Sequence, residues 1–392
     1  MTTIDQLEEI TEYSTDLDEL VSAGRRNWAA RSARGVEVLR FDEGHMAMSH
    51  PDLEKAPSFL NRLDRMGVTE GRERELWEYI VPTTEGDRRN RLRIPLAGLL
   101  RPSQINKLKD EVAGIAASVL DTLGEAKEFD FQRQVAWYVP PRMYCHLVSA
   151  PDELADTAAR LSDDTLSPLL TEDHSRRDLM RDTFFESFEF VREHIDAKRG
   201  NLGDDFTSVM IRQQEEGLLT ETELIAQGVS ILQGSIDNTV TQLGLVLYTL
   251  LEDRTRWEAI VADPSKIPAA IEECIRLFPR FNTIFRLAGK DVELNGLEIP
   301  EGTWVYVSAR AGHRDETVFA DADTYNIDRP TWRPLQFGNG QYNCLGQNLA
   351  RLEISEVLKA LVERYPTLHL NGDAVWHETN AVTEMKSLPV AI

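Results

Sequence analysis

Apolar residues recur at helical spacing through most of residues 102–264, and this pattern predicts a largely helical body. Short runs of β-branched residues lie instead at residues 36–41 and 292–309, and the second run contains the turn residues Gly296 and Gly302. Such runs predict strands that are joined by turns. The pattern as a whole therefore predicts a mainly α fold with a small β-sheet region.

The longest helical pattern spans about residues 220–251 and begins with Thr220 and Glu223, which together form a capping box. Its middle, ILQGSIDNTVTQLG, places Gly234 and Asp237 in an otherwise apolar stretch. Glycine costs up to about 1 kcal/mol relative to alanine in a helix, and a buried carboxylate is costly unless it is hydrogen-bonded or hydrated. Two interpretations stay open: a polar edge that faces solvent, or a helix bent open beside a ligand.

The 392-residue chain has 66 acidic and 43 basic residues and a formal net charge of -23. Because this charge repels phosphate backbones and anionic membrane surfaces, we expect neither nucleic acid nor a membrane as a partner. The opening MTTIDQLEEITEYSTDLDEL lacks the basic flank and apolar core of a leader, and no run reaches the roughly 18 apolar residues of a membrane helix. We therefore expect a cytoplasmic monomer that forms a single domain, residues 1–392, because no repeat or linker marks a boundary.

The chain contains three cysteines, Cys145, Cys274 and Cys344, which are far apart. Their odd number and spacing favour neither a disulfide framework nor a zinc site. Cys344 is followed by the helical pattern LGQNLARLEISEVLKALVERYP, which ends at Pro366. Since a helix N-terminus favours thiolate over thiol, Cys344 is a candidate metal ligand or nucleophile.

A nucleophilic cysteine needs a histidine within reach, and neither side of Cys344 has the local signature of such enzymes. An iron–sulfur cluster usually takes four cysteines. Of the three kinds of site considered for Cys344, a single thiolate ligand to the iron of a macrocycle remains. Gly338, Gly340 and Gly346 would let the backbone approach a large flat ligand of this kind.

The stretch FGNGQYNCLG resembles the haem-ligand loop of the cytochrome P-450 superfamily, whose usual form is Phe-Gly-x-Gly-x-His-x-Cys-x-Gly. Five of its six defining positions match, namely Phe337, Gly338, Gly340, Cys344 and Gly346. Tyr342 stands where histidine or arginine commonly contacts a haem propionate. The resemblance implies the cytochrome P-450 fold, with haem b between the long I helix and the cysteine loop and L helix.

Other motifs follow the order of the family along nearly the whole chain. Glu273 and Arg276 resemble the Glu-x-x-Arg pair of the K helix, whose spacing puts both side chains on one helix face. Arg286 in FRLAG resembles the arginine that reaches a propionate, and AGHRDETVFADADTYNIDRP resembles the meander before the cysteine loop. In DRRNRLR, Arg89 occupies the usual histidine position and Arg93 is the second propionate partner, and guanidinium groups suit carboxylates.

The middle of the long helix resembles the small-Gly-x-acid-Thr motif of the I helix. The groove and acid positions are filled by Gly234, Ser235, Ile236 and Asp237. The resemblance implies that Asp237 recruits protons. Asn238 stands where threonine is usual, and an amide forms hydrogen bonds but relays protons poorly. Thr239 cannot simply substitute, because one residue turns the helix by about 100°.

The resemblance implies a haem-thiolate monooxygenase, because a thiolate on haem iron favours cleavage of the O–O bond. The chain has no dinucleotide fingerprint and no attached flavin or ferredoxin domain. We therefore expect electrons from NAD(P)H through a ferredoxin and a ferredoxin reductase, and hydroxylation of a small molecule or peptide in secondary metabolism. Asn238 leaves open oxidative C–C, C–N or C–O cross-linking of aromatic side chains in a peptide or cyclic dipeptide. A non-catalytic haem-binding sensor and an acidic scaffold without haem also stay open.

The segments 58–85 and 162–181 are expected to roof the substrate pocket. Both carry arginines that could receive a substrate carboxylate, among them Arg62, Arg65, Arg72, Arg176 and Arg177. Arginines in such segments are more often solvated.

Overall fold

The computed structural model describes residues 2–11 and 17–392. The expectation that the chain has no leader rests partly on residues 1 and 12–16, which lie outside the described residues. The chain forms two compact units. Unit 1 comprises Met1–Ala56, Thr241–Cys344 and Leu361–Ile392, and unit 2 comprises Pro57–Val240 and Leu345–Ala360. That the chain is a single domain stays a prediction.

Helices dominate the described residues, as the apolar spacing predicts. In chain order they are α1 Leu17–Arg26, α2 Phe41–Ser49, α3 Ser58–Arg65, α4 Gly71–Trp77, α5 Gly86–Leu99, α6 Pro102–Ile105, α7 Lys109–Asp121, α8 Val139–Val148, α9 Ala155–Thr171, α10 Arg177–Lys198, α11 Phe206–Glu215, α12 Glu221–Ser235, α13 Asp237–Glu252, α14 Arg254–Ala262, α15 Ile267–Leu277, α16 Ala309–Gly312 and α17 Gln347–Arg364. No helix within the described residues is both long enough and apolar enough to cross a membrane.

The strands are short. They are β1 Thr2–Thr3, β2 Ala29–Ser32, β3 Gly35–Val38, β4 Leu53–Lys55, β5 Glu128–Asp130, β6 Thr283–Ala288, β7 Val292–Leu294, β8 Leu297–Ile299, β9 Trp304–Ser308, β10 His369–Leu370, β11 Val375–Glu378, β12 Thr383–Ser387 and β13 Pro389–Ala391. Unit 1 contains a five-stranded sheet of order β2-β3-β9-β6-β4, in which β3 and β9 are parallel and the other pairs antiparallel. It also contains the ladders β1-β8-β7, β11-β12 and β10-β13.

The strand prediction for residues 292–309 is confirmed, since β7, β8 and β9 lie there. Asn295 and Gly296 form the two-residue turn between β7 and β8, both with positive φ (46° and 79°), which is the turn that such a hairpin favours. The prediction for residues 36–41 is wrong at its end, because β3 stops at Val38 and α2 begins at Phe41. The Phe41 N–H donates to Asp315 Oδ2 at 3.1 Å, so a distant carboxylate caps the helix at this point.

The long helical pattern forms two helices, α12 and α13, which Ile236 separates. The predicted capping box is confirmed: the Glu223 N–H donates to Thr220 Oγ1 at 3.2 Å and the Thr220 N–H donates to Glu223 Oε2 at 2.9 Å. Ile236 has φ -96° and ψ -73°, outside the usual α-helical values. Asp237 follows this break and is only 7% exposed, so the interpretation of a solvent-facing edge is wrong for this residue.

Candidate active site

Cys344 lies three residues before α17 begins at Gln347. Its backbone N–H donates to the Phe337 carbonyl at 2.7 Å, which closes the loop that the glycines form. Gly338 has a φ of 70°, and a Cβ atom there would lie 3.0 Å from the Tyr342 carbonyl oxygen. Glycine at 338 is therefore required by both the backbone conformation and the close approach.

The side chain of Cys344 is exposed, whereas Cys145 and Cys274 are buried. Burial raises the pKa of Cys145 to about 12 and also raises the pKa of Cys274. Those two thiols therefore stay protonated at neutral pH. Cys344 instead precedes an 18-residue helix, α17, and the N-terminus of a helix is electrostatically favourable for a thiolate.

Arg286 and Tyr342, two predicted cofactor-binding residues, contact each other within unit 1. Arg286 lies on β6 and is 2% exposed. Its guanidinium lies 4.8 Å from the centroid of the Tyr342 ring and donates to the carbonyls of Met48 at 3.3 Å and Phe285 at 2.9 Å. A buried cation is thus held on the aromatic face of the cysteine loop, where a carboxylate could pair with it.

Glu273 and Arg276 lie on α15 and form a buried bidentate ion pair, with Nη2–Oε1 at 2.7 Å and Nε–Oε2 at 2.9 Å. Arg276 also donates to the carbonyls of His313, Ala322 and Thr324. The pair therefore fastens the residues of the meander segment to α15. Because all partners are hydrogen-bonded, the buried charges are compensated.

Arg89 and Arg93 lie one turn apart on α5, in unit 2. Arg89 is buried, and its Nη1 donates to the Val81 carbonyl at 3.0 Å. Arg93 is partly buried. Between them, Arg91 donates to both carboxylate oxygens of Glu223 at 2.9 and 2.6 Å, so α5 is fastened to the start of α12.

The residues after the break at Ile236 combine acid, amide and hydroxyl groups. Asp237 and Thr239 are buried and Asn238 is partly buried. Asn238 Oδ1 is buried, and no donor in the described residues binds it. Thr239 donates its backbone N–H to Ile236 O at 3.1 Å. An uncompensated amide oxygen of this kind is costly in an interior, which indicates a partner outside the chain.

The arginines of the two predicted roof segments bind other groups of the protein. Arg62 and Arg65 both donate to Glu172, at 2.9 Å and 2.6 Å. Arg176 donates to Asp164 at 2.8 Å, and Arg177 donates to the Met66 carbonyl at 2.8 Å. Arg72 lies 3.5 Å from Glu75. These contacts fasten helices within unit 2, so the suggestion that these arginines receive a substrate carboxylate gains no support from the structure.

Asn339 is a loop residue to which sequence reasoning gave no role. Its Nδ2 donates to Ser49 Oγ at 2.8 Å and lies 3.2 Å from His45 Nδ1, which connects the cysteine loop to α2. These partners are about 290 residues away in the chain, so no local pattern could identify them. The one local signal is the position of Asn339 between two glycines of positive φ.

The residues that are present fit a bound haem. Within unit 1, Cys344 is an exposed cysteine in a glycine loop and Arg286 is a buried cation. Within unit 2, Asn238 Oδ1 is buried and has no hydrogen-bond partner among the described residues. A Cβ atom built at Gly346 meets nothing within 4 Å beyond its own chain neighbours in the described residues, so the backbone there is open to a neighbouring group.

Comparisons with known proteins agree with this assignment. A family model described as Cytochrome P450 matches residues 266–388. Luteothin monooxygenase from Streptomyces thioluteus is 30% identical over 381 residues, which cover 96% of this chain and 93% of that relative. The chain belongs to the cytochrome P450 family.

Two further matches span most of this P450. 6-Deoxyerythronolide B hydroxylase from Saccharopolyspora erythraea is 29% identical over 315 residues, covering 79% of this chain and 77% of that enzyme. The crystal structure of CalO2 has the same fold, with a TM-score of 0.90 at 22% identity over 98% of this chain and 99% of that chain. The predicted mainly α cytochrome P450 fold is thus confirmed. The protein is a P450 monooxygenase of the EC 1.14 class, and its family implies a haem cofactor.

Proposed function

We propose that this P450 hydroxylates a small molecule or peptide of secondary metabolism, with electrons from NAD(P)H that arrive through a ferredoxin and its reductase. Luteothin monooxygenase and 6-deoxyerythronolide B hydroxylase, the relatives described above, are named for oxygenations of particular compounds. The observation that carries the proposal is Cys344, an exposed cysteine in the glycine loop before α17.

Cys344 would hold the haem iron through its thiolate sulfur. Haem held in this way supplies the activation of dioxygen and the cleavage of its O–O bond. The loop contributes rigidity, because the Cys344 N–H is bonded to the Phe337 carbonyl. Cys344 precedes α17, and the N-terminus of a helix is a favourable place for a thiolate.

Arg89, Arg93 and Arg286 would bind the haem propionates. A guanidinium can donate two parallel hydrogen bonds to a carboxylate. Arg286 is already held by backbone carbonyls and by the Tyr342 ring, so it loses little side-chain entropy when it binds a carboxylate. Tyr342 would add one hydrogen bond from its hydroxyl.

Asp237 and Asn238 would take part in proton delivery. A carboxyl group can accept and release a proton, whereas an amide can only donate or accept hydrogen bonds. Asn238 would therefore orient a water or a substrate group through its buried Oδ1, and Asp237 would exchange the proton. Thr239 and Gly234 lie beside these residues along the chain and shape the break.

Replacement of the ligand tests this proposal directly. We expect Cys344→Ser to lose the carbon monoxide absorption band that is typical of thiolate-bound haem, here called the thiolate band, while Cys145→Ser keeps it. Cys145 is buried and its thiol is protonated, so it is the matched control. A thiolate band in Cys344→Ser would refute the assignment.

Asn238 favours a second candidate reaction, the oxidative cross-linking of aromatic side chains in a peptide or cyclic dipeptide. In that reaction the substrate phenol or indole can itself supply protons, so a proton-relaying hydroxyl is not needed. The unmet hydrogen bond at Asn238 Oδ1 suits a phenol O–H or an indole N–H, since both are donors.

The variant Asn238→Thr separates the two reactions. If hydroxylation is native, the added hydroxyl should raise the fraction of NAD(P)H that yields product by roughly twofold or more. If cross-linking is native, the same variant should divert cross-linked product towards hydroxylated product. Mass spectrometry of reactions with aromatic cyclic dipeptides and with macrolide-like scaffolds measures both. A variant with unchanged products and unchanged coupling would contradict a proton role for residue 238.

Turnover also separates an enzyme from a protein that only binds a ligand at its haem. Consumption of NAD(P)H that depends on substrate, ferredoxin and reductase together is expected. A spectral shift without consumption under any of these conditions would contradict the proposed electron supply.

A further inference from the structure

A pair of buried glutamines connects α13 to the turn that precedes the cysteine loop. Gln242 lies on α13 and is 4% exposed, and Gln336 lies in the 3-10 turn Leu335–Phe337 and is 8% exposed. Gln336 Nε2 donates to Gln242 Oε1 at 3.1 Å. The two residues are 94 positions apart, so the bond is a tertiary connection within unit 1.

Backbone groups fix the orientation of both amides. Gln336 Oε1 accepts from the N–H groups of Arg280 at 2.8 Å and Phe281 at 3.3 Å. Gln242 Nε2 donates to the Phe278 carbonyl at 3.1 Å. Because a backbone N–H only donates and a carbonyl only accepts, neither amide can be turned around without facing a like group. The bond between Gln336 Nε2 and Gln242 Oε1 therefore has a defined direction.

The turn that holds Gln336 also closes the loop of Cys344. The Leu335 carbonyl accepts from the Gly338 N–H at 2.8 Å, and the Phe337 carbonyl accepts from the Cys344 N–H at 2.7 Å. Gln336 lies between these two carbonyls in the chain. A displacement of its side chain therefore moves both hydrogen bonds on which the position of Cys344 depends.

The other end of the connection lies close to the helix break. Gln242 follows Asp237 by five residues, which corresponds to a rise of about 7.5 Å along the helix. A helix segment behaves as a stiff rod over this distance, so a shift of α13 at its first residues also moves Gln242. The connection thus runs from the residues after Ile236 to the loop of the cysteine.

We propose that Gln242 and Gln336 are positioning residues that hold the Cys344 loop in register with α13, so that displacement of α13 changes the placement of the sulfur. This inference rests on the proposed role of Cys344 as the iron ligand. Neither glutamine touches the reacting atoms. Their effect would be on how firmly the Cys344 loop holds its position, and through it on how firmly the thiolate would stay on the iron.

The variant Gln242→Met tests the pair, because methionine has a similar length and makes none of the hydrogen bonds. The variant loses the hydrogen bonds of Gln242 to Gln336, to the Phe278 carbonyl and to the Arg280 N–H. The carbon monoxide complex should therefore lose its thiolate band roughly five- to tenfold faster than the wild type. Thermal unfolding followed by far-ultraviolet circular dichroism measures the stability of the fold separately.

The matched control is Gln132→Met. Gln132 is also a buried amide bonded to α13, since its Nε2 donates to the Val240 carbonyl at 3.0 Å, and its Oε1 has no hydrogen-bond partner among the described residues. We expect the decay of its thiolate band to stay within about twofold of the wild type. In double variants, the effects of Gln242→Met and Gln336→Met on the logarithm of the decay rate should be non-additive, whereas those of Gln132→Met and Gln336→Met should be additive.

The conservative variant Gln242→Glu keeps the acceptor for Gln336 Nε2, and its carboxyl group, once protonated, can donate to the Phe278 carbonyl as the amide does. At mildly acidic pH it should therefore decay more slowly than Gln242→Met. It also serves as the test if Gln242→Met does not fold. The inference would be overturned if the thiolate band of Gln242→Met decayed no faster than that of Gln132→Met. It would also be overturned if the band decayed at the same rate in Gln242→Glu and Gln242→Met. A thiolate band that survives in Cys344→Ser would instead overturn the proposed function itself, so the two failures are distinguishable.

Discussion

Glu223 joins the start of α12 to α5, and its replacement gives a sharp stability prediction. The carboxylate accepts two hydrogen bonds from Arg91 and one from the Thr220 N–H, and Arg88 Nε lies 3.4 Å away. The hydrogen bond from Arg91 is the largest cause that holds the pKa of Glu223 at about 2, below its usual 4.5. At 1.36 kcal/mol for each pKa unit, this difference corresponds to roughly 3 kcal/mol of folding free energy at most.

Solvent reduces this figure, because the Arg91 side chain is 37% exposed. We therefore expect Glu223→Gln to lower the free energy of unfolding by about 2 kcal/mol at pH 7. The folded-state pKa lies below the unfolded one, so the contribution is fully present above pH 4.5 and is lost as the pH falls towards 2. The stability difference between wild type and variant should therefore shrink as the pH is lowered from 7 to 3.

Urea unfolding at several pH values measures this difference, and Glu221→Gln is the matched control. Glu221 lies in the same helical turn, but its pair with Arg199 at 2.7 Å is half exposed, so we expect a loss below about 1 kcal/mol. Because α5 carries Arg89 and Arg93, Glu223→Gln should also release haem faster. Equal losses in Glu221→Gln and Glu223→Gln, or a difference that does not shrink at low pH, would refute the reasoning.

Two further predictions concern buried arginines of unit 1. Arg286→Met removes a buried cation and should lower haem affinity by about tenfold or more. Titration of haem into the apoprotein measures this affinity, and an unchanged value would contradict the role of Arg286 at a propionate. Arg276→Met removes the bidentate partner of the buried Glu273, leaves Arg329 Nε at 3.1 Å as its remaining cation, and should cost about 3 kcal/mol in urea unfolding. A loss below about 1 kcal/mol there would mean that the ion pair does not hold the meander segment.

The parts of the site that depend on local chemistry could be predicted from the sequence. The capping box of Thr220 and Glu223 involves neighbours in the chain, and the structure contains it. A break near Ile236 is one of the two interpretations that Gly234 and Asp237 leave open, because both residues conflict with a continuous buried helix. Cys344 before α17 follows from the helical pattern after it.

Features that depend on distant residues could not be predicted. The second partner of Glu223 is Arg91, which lies 132 positions earlier. The first N–H of α2, at Phe41, donates to Asp315, which lies 274 positions later in the chain. In each case the local pattern is ambiguous and a tertiary hydrogen bond decides the outcome, which propensity alone cannot represent.

The loop around Cys344 divides into positions with different physical tasks. Gly338 and Gly340 have positive φ and set the path of the backbone, and this task is visible in the motif because only glycine performs it cheaply. Gln336 and Asn339 stand at positions where the motif specifies nothing, yet their side chains bind Gln242 and Ser49. The motif therefore determines the shape of the loop, whereas Gln336, just before the motif, and Asn339, at an unspecified position within it, determine the helices to which the loop is fastened. Two chains with the same motif can then differ in how stably the cysteine stays bound to the iron. The decay rate of the thiolate band in variants of residues 336 and 339 measures how much these two positions contribute to that stability.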